Sequence, residues 1–148
     1  MTNPPAGCQR VIPYLAYRDA PAAIAFLCRA FGFEERFRIP MPDGRVGHAE
    51  LGLGDNVLML ASCYEEFGMG SPQDLPAVNA QILCYVDDVD AHFERARAEG
   101  AIVIAEPEDQ FYGDRSYRAM DLEGHRWSFA THVRDVSLEE MGAVIPKD

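Results

Sequence analysis

Two stretches of this chain, 68 positions apart, carry the same strand-then-helix pattern. Leu15 and Leu83, Tyr17 and Tyr85, Asp19 and Asp87, Ala30 and Ala98, and Gly32 and Gly100 coincide when one half is slid along the other. Each copy opens on an extended apolar run, passes an acid suited to cap a helix, and closes on a glycine suited to end one. Acidic caps and glycines recur in unrelated helices. Five identities with the helix stop in register nevertheless favour a duplicated unit. The 148 residues accommodate one domain, or two small modules sharing a core.

The elements follow from periodicity. Residues 11–18 form a first strand, and Asp19 caps a helix with Pro21 in its first turn. Ala23, Ile24, Leu27, Ala30 and Phe31 recur at helical spacing up to Gly32. Extended runs then cover 33–39, 46–53 and 57–61, with Pro42-Asp43-Gly44 as a hairpin turn. Module one is therefore β-α-β-β-β over residues 10–62. Residues 63–79 hold two glycines and two prolines, a linker or flap long enough to be functional. Module two spans 80–133. It has a strand at 81–86, a helix capped by Asp87 or Asp88 and ended by Gly100, a strand at 101–105, a loop at 107–114 and a hairpin turning at Asp121–Gly124. In the last run Trp127 and Phe129 share a face, which predicts packing beneath a helix. Ser137 and Glu140 have capping-box spacing, so a tail helix is expected over 137–143.

Charge and cysteine usage exclude several classes. A formal charge of −11 repels phosphate backbones, so no nucleic-acid partner is expected. Cys8, Cys28, Cys63 and Cys84 include no CxxC pair, which argues against a zinc knuckle or disulfide framework. The N-terminus lacks a secretory pattern, and no apolar run is long enough to span a bilayer. A cytoplasmic, non-membrane protein is expected.

Tyr-Arg-Asp-Ala-Pro-Ala-Ala-Ile-Ala-Phe (17–26), ahead of Ala-Phe-Gly-Phe (30–33), resembles the glyoxalase/bleomycin-resistance/extradiol-dioxygenase superfamily, also called vicinal oxygen chelate. Met41–Leu51, Asp109–Arg115 and Asp121–Trp127 are similar to its PhnB-like branch. The resemblance covers residues 10–141 and implies an α+β fold of two tandem βαβββ modules. Their curved mixed sheets would form a cup with helices outside, commonly in a homodimer. It also implies four metal-ligand positions, which fall on Ile12, Met59, Gln81 and Ser128. Only Gln81 is a plausible ligand, because isoleucine offers no donor, thioether sulfur is too soft, and a serine hydroxyl is a weak substitute for carboxylate. No metal or other cofactor is expected, with a displaced divalent metal as the alternative. The 68-residue offset pairs Gln81 with Pro13 rather than Ile12, and a one-residue slip exchanges faces.

Alternation along 46–53 sends Ala49, Leu51 and Leu53 toward the helix, leaving His48 and Glu50 on the cup side. The expected pocket comprises Tyr14, His48, Glu50, Met59, Gln81, Tyr85, Arg118 and Ser128. His48 beside Glu50 reads as a pocket-lining pair, a general base with its orienting carboxylate, or a non-standard metal site with Gln81. Of the other histidines, His92 is expected in solvent on the second helix, and His125 and His132 are expected to be structural. Arg115 and Arg118 fall on opposite faces of one strand. The functional expectation is a metal-independent small-molecule-binding protein, its ligand an antibiotic or aromatic compound. The alternative is a metal-dependent lyase, isomerase or dioxygenase of the vicinal-oxygen-chelate type.

Overall fold

The computed structural model describes residues 1–142. Module one comprises β1 (Tyr14–Tyr17), α1 (Ala20–Phe31), β2 (Glu34–Pro40), β3 (Val46–Leu53) and β4 (Asn56–Ser62). Module two comprises β5 (Gln81–Tyr85), α2 (Val89–Ala98), β6 (Ile102–Asp109), β7 (Asp114–Met120) and β8 (Arg126–His132). Each module makes its own four-stranded mixed sheet, ordered β1-β4-β3-β2 and β5-β8-β7-β6. In both, the first strand runs parallel to the last and the remaining pairs are antiparallel. The duplicated unit and the expected α+β architecture are both present.

The repeat holds with a change of register. Tyr14 faces Met59, and Leu83 faces Ser128. The first strands therefore match one residue further along than the 68-residue offset, placing Ile12 opposite Gln81 in the comparison. The helix start moves the same way. Asp19 caps α1 by accepting from the Ala22 amide, and Asp88, not Asp87, caps α2 by accepting from the Ala91 amide. Because a one-residue slip exchanges faces, Tyr17 is fully buried whereas Tyr85 is exposed.

Boundaries moved where proline intervenes. The first strand is shorter than 11–18, since Pro13 has no N–H to give. The side-chain amide of Gln9 substitutes for backbone there, donating to Val57 O at 2.6 Å and accepting from Val57 N at 3.0 Å. Conversely, β6 continues through Pro107, which the sequence places in a loop. It is an edge strand with a register shift between Ala105 and Glu108, where a missing donor is tolerated.

The two helices join the modules. Phe31, at the end of α1, lies 5.3 Å from Trp127 and 4.7 Å from Phe129 between ring centroids. Arg95 of α2 donates to the carbonyls of Arg29 and Cys28, satisfying groups that the end of α1 leaves free. One buried cluster thus runs from Ala49, Leu51 and Leu60 to Tyr117, Ala119 and Trp127. Each fully buried aromatic or aliphatic side chain stabilises by about 1.5–3 kcal/mol. After β8, Ser137 and Glu140 form the expected reciprocal capping box at the start of α3 (Leu138–Gly142). The expected helix end at residue 143 lies outside the described residues.

Candidate ligand-binding site

Strand β3 positions the first polar group. Ala49 and Leu51 are fully buried in the core, so His48 and Glu50 project from the opposite face of the sheet. Tyr14, Met59 and Glu50 lie in one row across β1, β4 and β3. The Tyr14 hydroxyl sits 2.7 Å from His48 Nδ1, and His48 Nε2 sits 3.3 Å from Glu50 Oε1. The ring thus bridges the phenol and the carboxylate; with its proton on Nε2, it donates to Glu50 and accepts from Tyr14 at Nδ1. Burial, followed by the nearby Glu50 charge, raises the Tyr14 phenol above its ordinary range, which keeps its proton in place for this bond. Phe37 closes the edge, its ring 5.7 Å from that of His48.

The segment after β4 builds the wall that the residue pattern did not identify. It returns over the C-terminal end of β1 and borders an open cavity of about 490 Å³ between Tyr14, His48, Ile39 and Met41 on the sheet side and Tyr64, Phe67 and Met69 on the segment. Arg45 holds Tyr64 from behind, its guanidinium carbon 4.0 Å from the ring centroid. Further along, buried Ser71 donates to Glu123 of module two at 2.6 Å, so a wall of the module-one cavity is anchored on the other module. By its length the segment of residues 63–79 reads as a linker or a flap. Its aromatic and methionine content was the available signal for its lining role.

The remaining expected pocket residues lie on the second sheet. Leu83, Ser128 and Arg118 form a row there, and Gln81 stands beside Arg126 at the start of β5. Tyr85 donates its hydroxyl to Asp114 at 2.7 Å. Among the described residues, no Cα of the first sheet's strands comes within 8 Å of one in the second sheet. One protomer therefore gathers Tyr14, His48, Glu50 and Met59, and gathers Gln81, Tyr85, Arg118 and Ser128 separately. Ile12 and Met59 on the first side supply no hard donor for a catalytic divalent cation. The residues present do not fit the family's metal site.

The other histidines are structural, and one expectation is corrected. His92 is not solvated: its Nδ1 meets the Tyr117 hydroxyl at 2.6 Å, its Nε2 meets Phe31 O at 2.9 Å, and burial lowers its pKa. It points into the core because α2 packs on β7 and on the end of α1. His125 Nε2 donates to Ala16 O at 2.9 Å. His132 bridges Asp114 and Asp135, each at 2.8 Å. Arg115 pairs with Asp90 of α2 and with Asp109, whereas Arg118 is exposed on the other face. No helix among the described residues is long and apolar enough to cross a membrane.

Comparison with known proteins agrees with this geometry. A family model described as Glyoxalase/Bleomycin resistance protein/Dioxygenase superfamily matches residues 10–129. Uncharacterized proteins of Mycobacterium bovis and Mycobacterium tuberculosis are 38% identical over 136 residues, covering 90% of this chain and 90% and 80% of theirs. Among solved structures, TioX from Micromonospora sp. ML1 is 33% identical with a TM-score of 0.67, over 84% of this chain and 99% of that one. A glyoxalase/bleomycin resistance protein/dioxygenase family enzyme from Burkholderia phytofirmans PsJN shares the fold at 21% identity, with a TM-score of 0.65 over 82% of this chain and 97% of that one.

Proposed function

Because the chain belongs to the glyoxalase/bleomycin resistance/dioxygenase superfamily, whose fold hosts unrelated activities, we propose that it is a metal-independent binding protein for a small, largely apolar molecule, with an antibiotic or aromatic compound as the fitting class. The observation that carries this reading is the cavity of about 490 Å³ walled by Tyr14, Tyr64, Phe67, Met41 and Met69. It lies within the volume range of small-molecule sites, and it is apolar with a few fixed polar groups, as such sites are. Methionine walls adjust to ligand shape, and aromatic walls stack on planar rings. Sequestration needs no nucleophile. Both ring nitrogens of His48 already hold hydrogen bonds, which favours a fixed wall over a free base.

A second copy of the chain completes the proposal. The open faces of both sheets leave large apolar side chains in solvent: Tyr14 is 45% exposed, and Leu83 and Tyr85 are 52% and 59% exposed. A homodimer that sets one sheet against the other would bring the two separated pocket sets together. The PhnB-like motifs fit within this reading and add no reaction to it.

A thermal-shift screen of planar aromatic compounds, followed by titration calorimetry, tests the proposal. A true ligand present at about a hundred times its Kd stabilises by about 2.7 kcal/mol, and Ala61→Trp, which fills the cavity, abolishes the shift. If no compound of the class raises the melting midpoint, the binding reading is wrong. Stoichiometric metal in protein purified without chelator, lost on His48→Ala, would instead establish the metal-dependent alternative.

A further inference from the structure

We infer that the chain holds a second binding site, in the cleft between β5 and the β3–β4 turn (Leu53–Asn56), for a small uncharged molecule that presents a secondary amide. The site is separate from the cavity on the face of the first sheet. It emerges when the two modules are laid on each other in the register that matches Tyr14–Met59 with Leu83–Ser128. In that register Ala16 answers to Tyr85, and Asn56 answers to His125.

In one half of the molecule the cleft is sealed. Met59 N donates to Pro13 O and Cys63 N to Tyr17 O. Alternate residues of β1 therefore pair with β4, and the backbone of Tyr14 and Ala16 faces the free edge of the sheet. The β7–β8 turn fills that edge. His125 Nε2 bonds to Ala16 O, and the Glu123 carboxylate takes the Arg18 and Asp19 amides at the corner leading into α1.

The other half is open. Val86 N donates to Ala130 O, so by the same alternation the N–H and C=O groups of Leu83 and Tyr85 face away from β8, on the unpaired edge of the second sheet. The turn opposite is one residue shorter, with four residues between Gly52 and Val57 against five between Met120 and Arg126. Its tip is Gly54-Asp55, and Asn56 stands in place of the longer histidine. Among the described residues, neither the Asn56 side chain nor the outer edge of Leu83 and Tyr85 meets a hydrogen-bond partner. A cavity of about 350 Å³ occupies the space. Four consecutive residues, Ile82 to Tyr85, border it. Side chains alternate between faces along a strand, so one cavity meets all four only along the strand's edge. Val11, Phe33, Leu53 and Asn56 lie across from them.

The chemistry of the lining selects the ligand. Among the described residues, no Asp, Glu, Lys, Arg or His borders the cavity, and burial keeps the Cys84 thiol protonated, its pKa pushed up to about 12. An ion would enter without a counter-charge, which is strongly disfavoured. A hydrocarbon would cover the edge N–H and C=O groups without pairing them, at the cost of their lost hydration. A secondary amide supplies an acceptor and a donor together, as an added strand does. The volume is at the low end for small-molecule sites, which suits a molecule of dipeptide size.

Three probes on one frame test the inference by NMR titration of the unaltered, isotope-labelled protein: N-acetylleucine N-methylamide, N-acetylleucine methyl ester and N-acetylleucinate. The methylamide should move the backbone amide resonances of Leu83 and Tyr85 and the side-chain amide of Asn56, and leave those of Gly47 and His48 in place. The ester lacks one N–H and should bind about fivefold more weakly, the scale of one net hydrogen bond. The carboxylate should bind more weakly again. Asn56→Ala, at an exposed position, should weaken the methylamide and leave the fold intact. Unmoved Leu83 and Tyr85 resonances, or equal affinities for amide and ester, overturn the proposal. Shifts confined to Gly47, His48 and their neighbours would place the amide in the first cavity, overturning the second site while leaving the reading of the first intact.

Discussion

Tyr17, on the first strand of module one, donates its hydroxyl to Asp121 Oδ2 in the β7–β8 turn at 2.6 Å. Both residues are buried. The same carboxylate accepts from Trp127 Nε1 at 3.0 Å and, through Oδ1, from the amides of Glu123, Gly124 and His125. It closes a turn and joins two modules at once. Asp121→Ala would leave two buried side-chain donors and the amides of Glu123 and His125 without their acceptor, Gly124 keeping its bond to the Asp121 carbonyl, so it should cost about 3–5 kcal/mol, against about 1–2 kcal/mol for Tyr17→Phe. Urea unfolding measures both. Equal losses would show that the carboxylate serves only the tyrosine.

Two histidines should titrate in opposite directions from their ordinary value of 6.5. Burial holds His92 below it, while Asp135 and then Asp114 hold His132 above it. For His92 the unfolded chain binds the proton more readily, so its native interactions are fully present above 6.5 and are lost as pH falls through the lower folded value. For His132 the native state binds the proton more readily, so its stabilisation is present below 6.5 and is lost as pH rises through the higher folded value. Proton NMR titration of the ring resonances checks both directions. His92→Phe should reduce the loss of stability on the acid side of 6.5.

The fold was readable because its markers are local. The Asp19 cap, the Gly32 stop and the Asp43-Gly44 turn each act within a few residues, and each forms where the chain places it. The face assignment of His48 and Glu50 was also legible, since alternation is a property of one strand. What escaped were relationships between elements. His92 lies on a helix that reads as half-polar, and only its packing against Tyr117 and the end of α1 draws it inside. The Asp19–Asp87 identity missed the cap by one residue because two chemically equal acids stand side by side at Asp87 and Asp88. The cavity wall on residues 64–69 depends on where a loop without periodicity comes to rest, which a tertiary anchor (Ser71 on Glu123) decides.

Gly113 should tolerate no side chain. Its φ is +105°, and a Cβ there would sit 2.1 Å from the carbonyl oxygen of Arg134. Its own carbonyl accepts from the amides of Val133 and Arg134, so the approach cannot open without releasing the chain after β8. Gly113→Ala should lower stability by about 2–4 kcal/mol, the combined scale of a left-handed strain and a backbone clash. Gly44 is the control. Its φ of +88° is comparable, but nothing lies within 4 Å of its Cβ position, so Gly44→Ala should cost only about 1 kcal/mol. Similar midpoints for the two variants in thermal denaturation would remove the clash from the account.

Ser71 should control the cavity without touching what fills it. Its hydroxyl donates to Glu123 Oε1, an oxygen that also accepts from the Arg18 amide, while Oε2 accepts from the Asp19 amide. Glu123 therefore remains bonded when the serine is removed, and Ser71→Ala subtracts the buried bond to Glu123, about 1 kcal/mol of anchoring, together with the weaker bond that the hydroxyl accepts from the Gln73 amide at 3.3 Å. That loss falls on the segment carrying Tyr64, Phe67 and Met69, whose ties to module one include the Arg45–Tyr64 contact, the Cys63 amide on Tyr17 O at 2.9 Å and the Arg18–Asp74 pair. Hydrogen exchange in Ser71→Ala should quicken over residues 64–70 and stay unchanged in β3 and β4. Affinity for a bound aromatic should fall by up to about fivefold, because binding must then order a looser wall. Unchanged exchange in the segment would show that the wall is held by its own contacts and not by the second module.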